Sequence, residues 1–270
     1  MARLAPRTLP GQRCPWHEIE IIPAPVGRGV HLDAYGNIAQ YFEVEGKHES
    51  LDVIARSLVE VFSTPTPDPQ ATPAWEVIRD ACQSEKLTPG SEAGAFRFNS
   101  PLVPLADEYG RYARLDFTPR RPILEATVAF TERIFKEFKF DSRATDVSTK
   151  VSEVFKKRAG VCQDFSHVML ACLRSIGLPC RYVSGYLETA PPPGKARLVG
   201  ADASHAWLAV YCGEAHGWID TDPTNNILPD ERHITLAWGR DFSDVSPLRG
   251  VTLGAGGQRL AVEVDVIPEV

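Results

Sequence analysis

Apolar and polar residues alternate through HEIEI at residues 17–21 and IAQYFEVEG at residues 38–46, the period-two pattern of half-buried strands. The Asp33-Ala34-Tyr35-Gly36-Asn37 run between them supplies a turn, so residues 1–63 read as a small β-rich unit. The proline-rich run STPTPDPQATP at 63–73 cannot sit inside a helix or central strand, and 64–110 is expected to be a linker or crossover. Beyond it the period changes. Ile123, Thr127, Phe130, Ile134 and Phe138 recur at helical spacing, which predicts a helix within 121–140. A second helix is expected over 149–158, with Lys156, Lys157 and Arg158 at the negative end of its dipole and Gly160 stopping it. A third follows at once, with Phe165, Val168, Cys172 and Ile176 on one face and Gly177-Leu178-Pro179 ending it.

After Pro179 the texture returns to strands: RYVSGYL, HAWLAVYC, GWIDTD, HITLAW and RLAVEVDVI. Helices followed by strands predict an α+β domain over 111–270, helices packed on a mostly antiparallel sheet. No internal repeat is visible.

Cys162 begins the third helix, where unpaired N–H groups and the dipole favour a thiolate, the form that attacks acyl groups. The bland alternative is a small buried side chain, and Cys172 and Cys180 receive that reading. A partner raises Cys162. His205, Trp207, Ala209 and Tyr211 share one strand face, and GWIDTD ends at Asp222. A hairpin tip at Gly213-Glu214 makes His205 and Asp222 direct neighbours, and a tip at Glu214-Ala215 makes them diagonal ones. Asp220 lies on the same face and is a rival, with Pro223 favouring Asp222 by fixing it in extended backbone. A cysteine at a helix start facing a carboxylate-held histidine suits nucleophilic acyl transfer.

The charge balance narrows the classes further. Against 29 basic side chains stand 35 acidic ones, a net charge of −6, which argues against nucleic acid; membrane binding is equally unsupported. The start has no apolar run of the signal-peptide kind. Six cysteines without a CxxC pair fit reduced thiols in a cytoplasm better than a disulfide frame or a zinc site. No metal or other cofactor is expected, and His17, His31, His48, His167, His216 and His233 form no comparable constellation in the sequence.

The stretches AGVCQDFSHVMLACLRSIGLPCRYVSGYLE, GADASHAWLAVY, GWIDTDPTNN and WGRDFSDVSPLRGV together resemble the bacterial branch of the transglutaminase-like superfamily, which shares its cysteine, histidine, aspartate logic with papain-like proteases. The resemblance covers most of the chain from about residue 120 onward and implies a papain-like core with Cys162 as nucleophile, His205 as base and Asp222 as orienting acid, leaving Asp220 outside the triad. It implies a peptide or protein amide as substrate, with water or an amine completing the reaction. The first 63 residues resemble the β-rich unit that precedes this domain, here beginning late, as though its first hairpin were missing. Animal relatives place an oxyanion-stabilising tryptophan before the cysteine, and this chain has none between Trp75 and Cys162. Backbone N–H groups at the helix start, with the Gln163 side chain, are the remaining donors, and Trp207 is a candidate wall. Asp164 reads as an acid satisfying the helix dipole and Arg181 as its ion-pair partner. The competing reading is a non-catalytic module that keeps the fold for peptide binding or assembly; all three triad positions are filled, which weighs against it.

Overall fold

The computed structural model describes residues 1–83, 92–189, 203–254, 257 and 259–269. Its centre is a four-stranded antiparallel sheet of β7 (Cys180–Leu187), β8 (Ala203–Tyr211), β9 (Trp218–Thr221) and β10 (His233–Gly239), in the spatial order β10-β7-β8-β9. The helix α5 (Cys162–Ser175) packs on one face, and every residue from Asp164 to Arg174 is buried, more than the single apolar stripe of the sequence demanded. Neighbouring helices α2 (Asp107–Ala113), α3 (Ile123–Glu137) and α4 (Val151–Lys157) close over α5, and Ala206, Leu208 and Val210 of β8 meet them from the sheet. The expected α+β class is the observed one.

Residues 64–110 are not a plain linker. They carry α1 (Trp75–Gln83) and α2, and Trp75, Ile78, Cys82, Ala93, Val103 and Tyr109 all enter the main core. The prolines break regular structure only at the start of the stretch, and the apolar spacing of Trp75, Ile78 and Cys82 after Pro73 is helical. At α4 the stop is Arg158, in the left-handed region at φ 54°, rather than Gly160. The last expected strand, 259–267, is reduced to an isolated bridge at Val264: alternation fixes the faces of a strand, but continuous pairing needs an open edge.

One such edge, that of β10, is taken by side chains of the amino-terminal unit. That unit holds two antiparallel ribbons, β1 (Gln12–Ile22) with β4 (Asp52–Val61) and β2 (Gly27–Leu32) with β3 (Ile38–Glu43). The Asp33 to Asn37 turn joins β2 and β3, with Asp33 Oδ1 accepting from the N–H groups of Tyr35 and Asn37 at 2.9 and 3.0 Å. The Gln12 amide gives to Thr235 O and accepts from Thr235 N, both at 2.8 Å, while Asn37 serves Trp238 O at 2.8 Å and Trp238 N at 2.9 Å. Each primary amide thus replaces a strand residue and leaves no free rung at that point. Asn37→Ala leaves two half-buried backbone groups without these partners, and an expected loss of about 1–3 kcal/mol is to be read from urea unfolding.

Candidate active site

The start of α5 is built by short-range devices. A two-residue parallel pairing, β5 (Lys139–Phe140) with β6 (Ala159–Gly160), delivers the chain to Val161, and the Asp164 carboxylate turns back to accept Val161 N–H at 2.8 Å and the Thr145 hydroxyl at 2.6 Å. A Cβ on Gly160 would stand 2.5 Å from Asp164 Oδ2, so this return requires glycine. Burial pushes the Asp164 carboxyl up, with Thr145 and Val161 opposing. Cys162 is the first helical residue and stays half-exposed. The first intrahelical bond runs from Phe165 N to Val161 O, so the N–H groups of Cys162 and Gln163 belong to the free first turn. Burial holds the thiols of Cys14, Cys82, Cys172, Cys180 and Cys212 above their ordinary range, Cys180 at about 11 and Cys212 at about 12.

The β8–β9 register pairs Leu208 with Thr221 and Tyr211 with Trp218, the arrangement of the Glu214-Ala215 tip rather than the Gly213-Glu214 one. His205 and Asp222 still meet, because Asp222 leaves β9 and folds back through a bridge to Ile227. His205 Nε2 donates to Asp222 Oδ2 at 2.7 Å. The Cys162 side chain lies close enough to act on the same ring and favours its charged form. His205 is 7% exposed and Asp222 fully buried. Burial pulls the His205 imidazolium down, but hydrogen bonds and charge from Asp222 and Cys162 outweigh it and raise the pKa to about 10. At Asp222 burial acts upward, and the bonds from His205, His233 and Asn225 overcome it and hold the carboxyl well below the usual range.

Asp220 is not the acid beside His205. It accepts from Trp207 Nε1 at 3.0 Å and has Arg181 as its charge partner. Arg181 therefore serves Asp220 instead of Asp164, and its guanidinium lies 3.6 Å over the Trp238 ring. Trp207 is completely buried with its N–H committed, a floor beneath His205 rather than a substrate-facing wall. Gln163 turns to Val147, with Nε2 3.4 Å from its carbonyl oxygen. The loop around 191–200 lies outside the described residues.

Two participants were missed in the sequence. Asn225 Nδ2 gives to Asp222 Oδ2 at 2.7 Å, and the N–H groups of Thr224 and Asn225 give to Oδ1 at 2.9 and 3.3 Å. The DPTNN run is an Asx-turn signal that could have pointed there. His233, set aside as unremarkable, has Nε2 3.3 Å from Asp222 Oδ2 and Nδ1 3.3 Å from Asp230 Oδ1. No short-range signal marks it, since it arrives on β10, which pairs with β7.

A half-exposed thiol at a helix start and a carboxylate-held imidazole are the equipment of the transglutaminase-like superfamily, and residues 113–223 match that superfamily while residues 1–60 match the bacterial transglutaminase-like N-terminal region. The chain belongs to this superfamily. The uncharacterized protein Rv2569c of Mycobacterium tuberculosis is 41% identical over 273 residues, covering 98% of this chain and 85% of the relative. The uncharacterized protein ML0607 of Mycobacterium leprae is 30% identical over 272 residues, covering 100% of this chain and 90% of the relative. In fold, the chain is similar to the crystal structure of a candidate cysteine protease from Cytophaga hutchinsonii, with a TM-score of 0.67 at 19% identity over 91% of this chain and 77% of that one. Among the described residues no helix is long and apolar enough to cross a membrane.

Proposed function

We propose that this protein is a cysteine acyl-transfer enzyme acting through a thioester on a peptide or glutamine-type amide, as a protease or amidase or as a transglutaminase. The observation that carries the reading is His205 held by Asp222 at 2.7 Å, with the half-exposed Cys162 at the first turn of α5 near enough to raise the imidazole pKa. His205 takes the thiol proton, the thiolate attacks the amide carbonyl, and the same ring returns the proton to the leaving amine. Asp222 fixes the ring with Nε2–H toward itself and Nδ1 toward the sulfur. The free N–H groups at the start of α5 face the developing oxyanion. Water or a primary amine then resolves the thioester, and the same three residues serve both. A reducing, cytoplasmic setting suits a chain whose six cysteines are all unpaired.

Brief iodoacetamide treatment at pH 7, followed by intact mass, tests the reading. A thiol with an imidazole beside it to take its proton reacts faster than one without. Cys162 is therefore expected to label first, Cys162→Ala to remove that fast site, and His205→Ala to slow it at least 10-fold. If Cys162 labels no faster than the buried thiols, the binding-module reading replaces this one. A glutamine peptide offered with and without a labelled amine then separates transfer from hydrolysis.

A further inference from the structure

His233 is a buried, titratable group that the proposed chemistry does not use. Its Nε2 and that of His205 point at the same oxygen, Asp222 Oδ2, at 3.3 and 2.7 Å. One ligand atom from each of the three residues lies within 4.8 Å of the others. We propose that His205, Asp222 and His233 form a site for a single zinc-like divalent cation, whose binding silences the thiol chemistry at Cys162.

Two imidazoles and one carboxylate oxygen are the donor set of zinc rather than of calcium or magnesium, which prefer oxygen cages. Ligand bonds of about 2.0–2.2 Å in a tetrahedron put neighbouring donors roughly 3.4 Å apart. The His233–Asp222 separation already meets this, and His205 needs to retreat by well under 1 Å. To ligate, each ring gives up its Nε2 proton to solvent and keeps a proton on Nδ1. For His233 that Nδ1 faces Asp230 Oδ1 at 3.3 Å, the outer carboxylate that orients metal-bound histidines. For His205 it faces Cys162. A fourth position stays open for water. The three residues are separated by 17 and 11 positions in sequence, so no short ligand spacing marks them.

With Nε2 on a cation, His205 can no longer become an imidazolium, and Cys162 loses its proton acceptor. This inhibitory consequence rests on the proposed function; the binding itself does not, and the experiment separates them. Calorimetric titration of the full chain with zinc chloride is run on wild type, Cys162→Ala, His233→Gln and Asp230→Asn. One ion per chain is expected in wild type, retained in Cys162→Ala, weakened at least 100-fold in His233→Gln and about 10-fold in Asp230→Asn, a substitution at a half-exposed side chain that leaves the core alone. Binding abolished by Cys162→Ala, or indifferent to both His233→Gln and Asp230→Asn, overturns the site. Iodoacetamide labelling of Cys162 should slow at least 10-fold under saturating zinc in wild type but not in His233→Gln. Zinc binding without slowed labelling overturns the silencing and keeps the site.

Discussion

Asp222→Asn is expected to reduce acyl-transfer turnover by about 10³- to 10⁴-fold while leaving a folded protein. The carboxylate is acceptor-only, and it collects His205, His233, Asn225 and two backbone N–H groups. An asparagine keeps the shape but aims an N–H₂ at one set of these donors, so His205 loses both its tautomer lock and the charge that supports its imidazolium. The check is Cys162 labelling against pH alongside thermal unfolding. The wild-type His205 pKa is raised to about 10, so its stabilising contribution is complete below the ordinary histidine range and is lost as pH climbs through about 10. Asp222 is depressed, and its contribution is present above the ordinary carboxylate range and lost in acid. Both arms should flatten in Asp222→Asn. An unchanged labelling profile would remove Asp222 from the proposed mechanism.

Gly185→Ala is expected to destabilise the protein by about 3 kcal/mol, the upper end for overpacking a core. Gly185 lies directly opposite His205 on β7, and the Trp207 ring crosses its bare Cα to meet His233 on β10, edge to face at 5.2 Å. A Cβ there would overlap the Ile234 carbonyl oxygen and stand 2.5 Å from the Trp207 ring, and neither backbone nor a fully buried indole can yield cheaply. Displacing Trp207 also disturbs the floor under His205, so Cys162 labelling should slow as stability falls. Gly27→Ala, with nothing within 4 Å of its new methyl, is the control and is expected to stay within about 0.5 kcal/mol of wild type. Equal unfolding midpoints for the two variants would refute the packing argument.

Much of this arrangement was written in local signals. The cysteine at the start of α5 follows from an apolar helical period beginning right after Gly160-Val161, because helix starts are set within one turn of sequence. The meeting of His205 with Asp222 was expected from strand alternation and a short hairpin, and it survives the two-position shift in register because Asp222 leaves β9 and folds back toward Ile227. The choice of Asp222 over Asp220 did not follow from alternation, which puts both acids on one face. It was decided when β9 ended at Thr221 and the chain turned back to Ile227.

What the sequence determined by itself was the α+β class, the helices α3, α4 and α5, a thiol at a helix start and a histidine sharing a strand face with its acid, all consequences of periodicity and capping over fewer than about twenty residues. Only the tertiary structure decided the role of 64–110, the capture of the β10 edge by Gln12 and Asn37, the switch of Arg181 from Asp164 to Asp220, and the arrival of His233 at Asp222. Each of these depends on which elements lie side by side. A hydrogen bond between residues far apart in the chain leaves no periodic trace in it, and the strand order β10-β7-β8-β9 that brings His233 beside the site is fixed by packing against α5 rather than by any pattern within the strands.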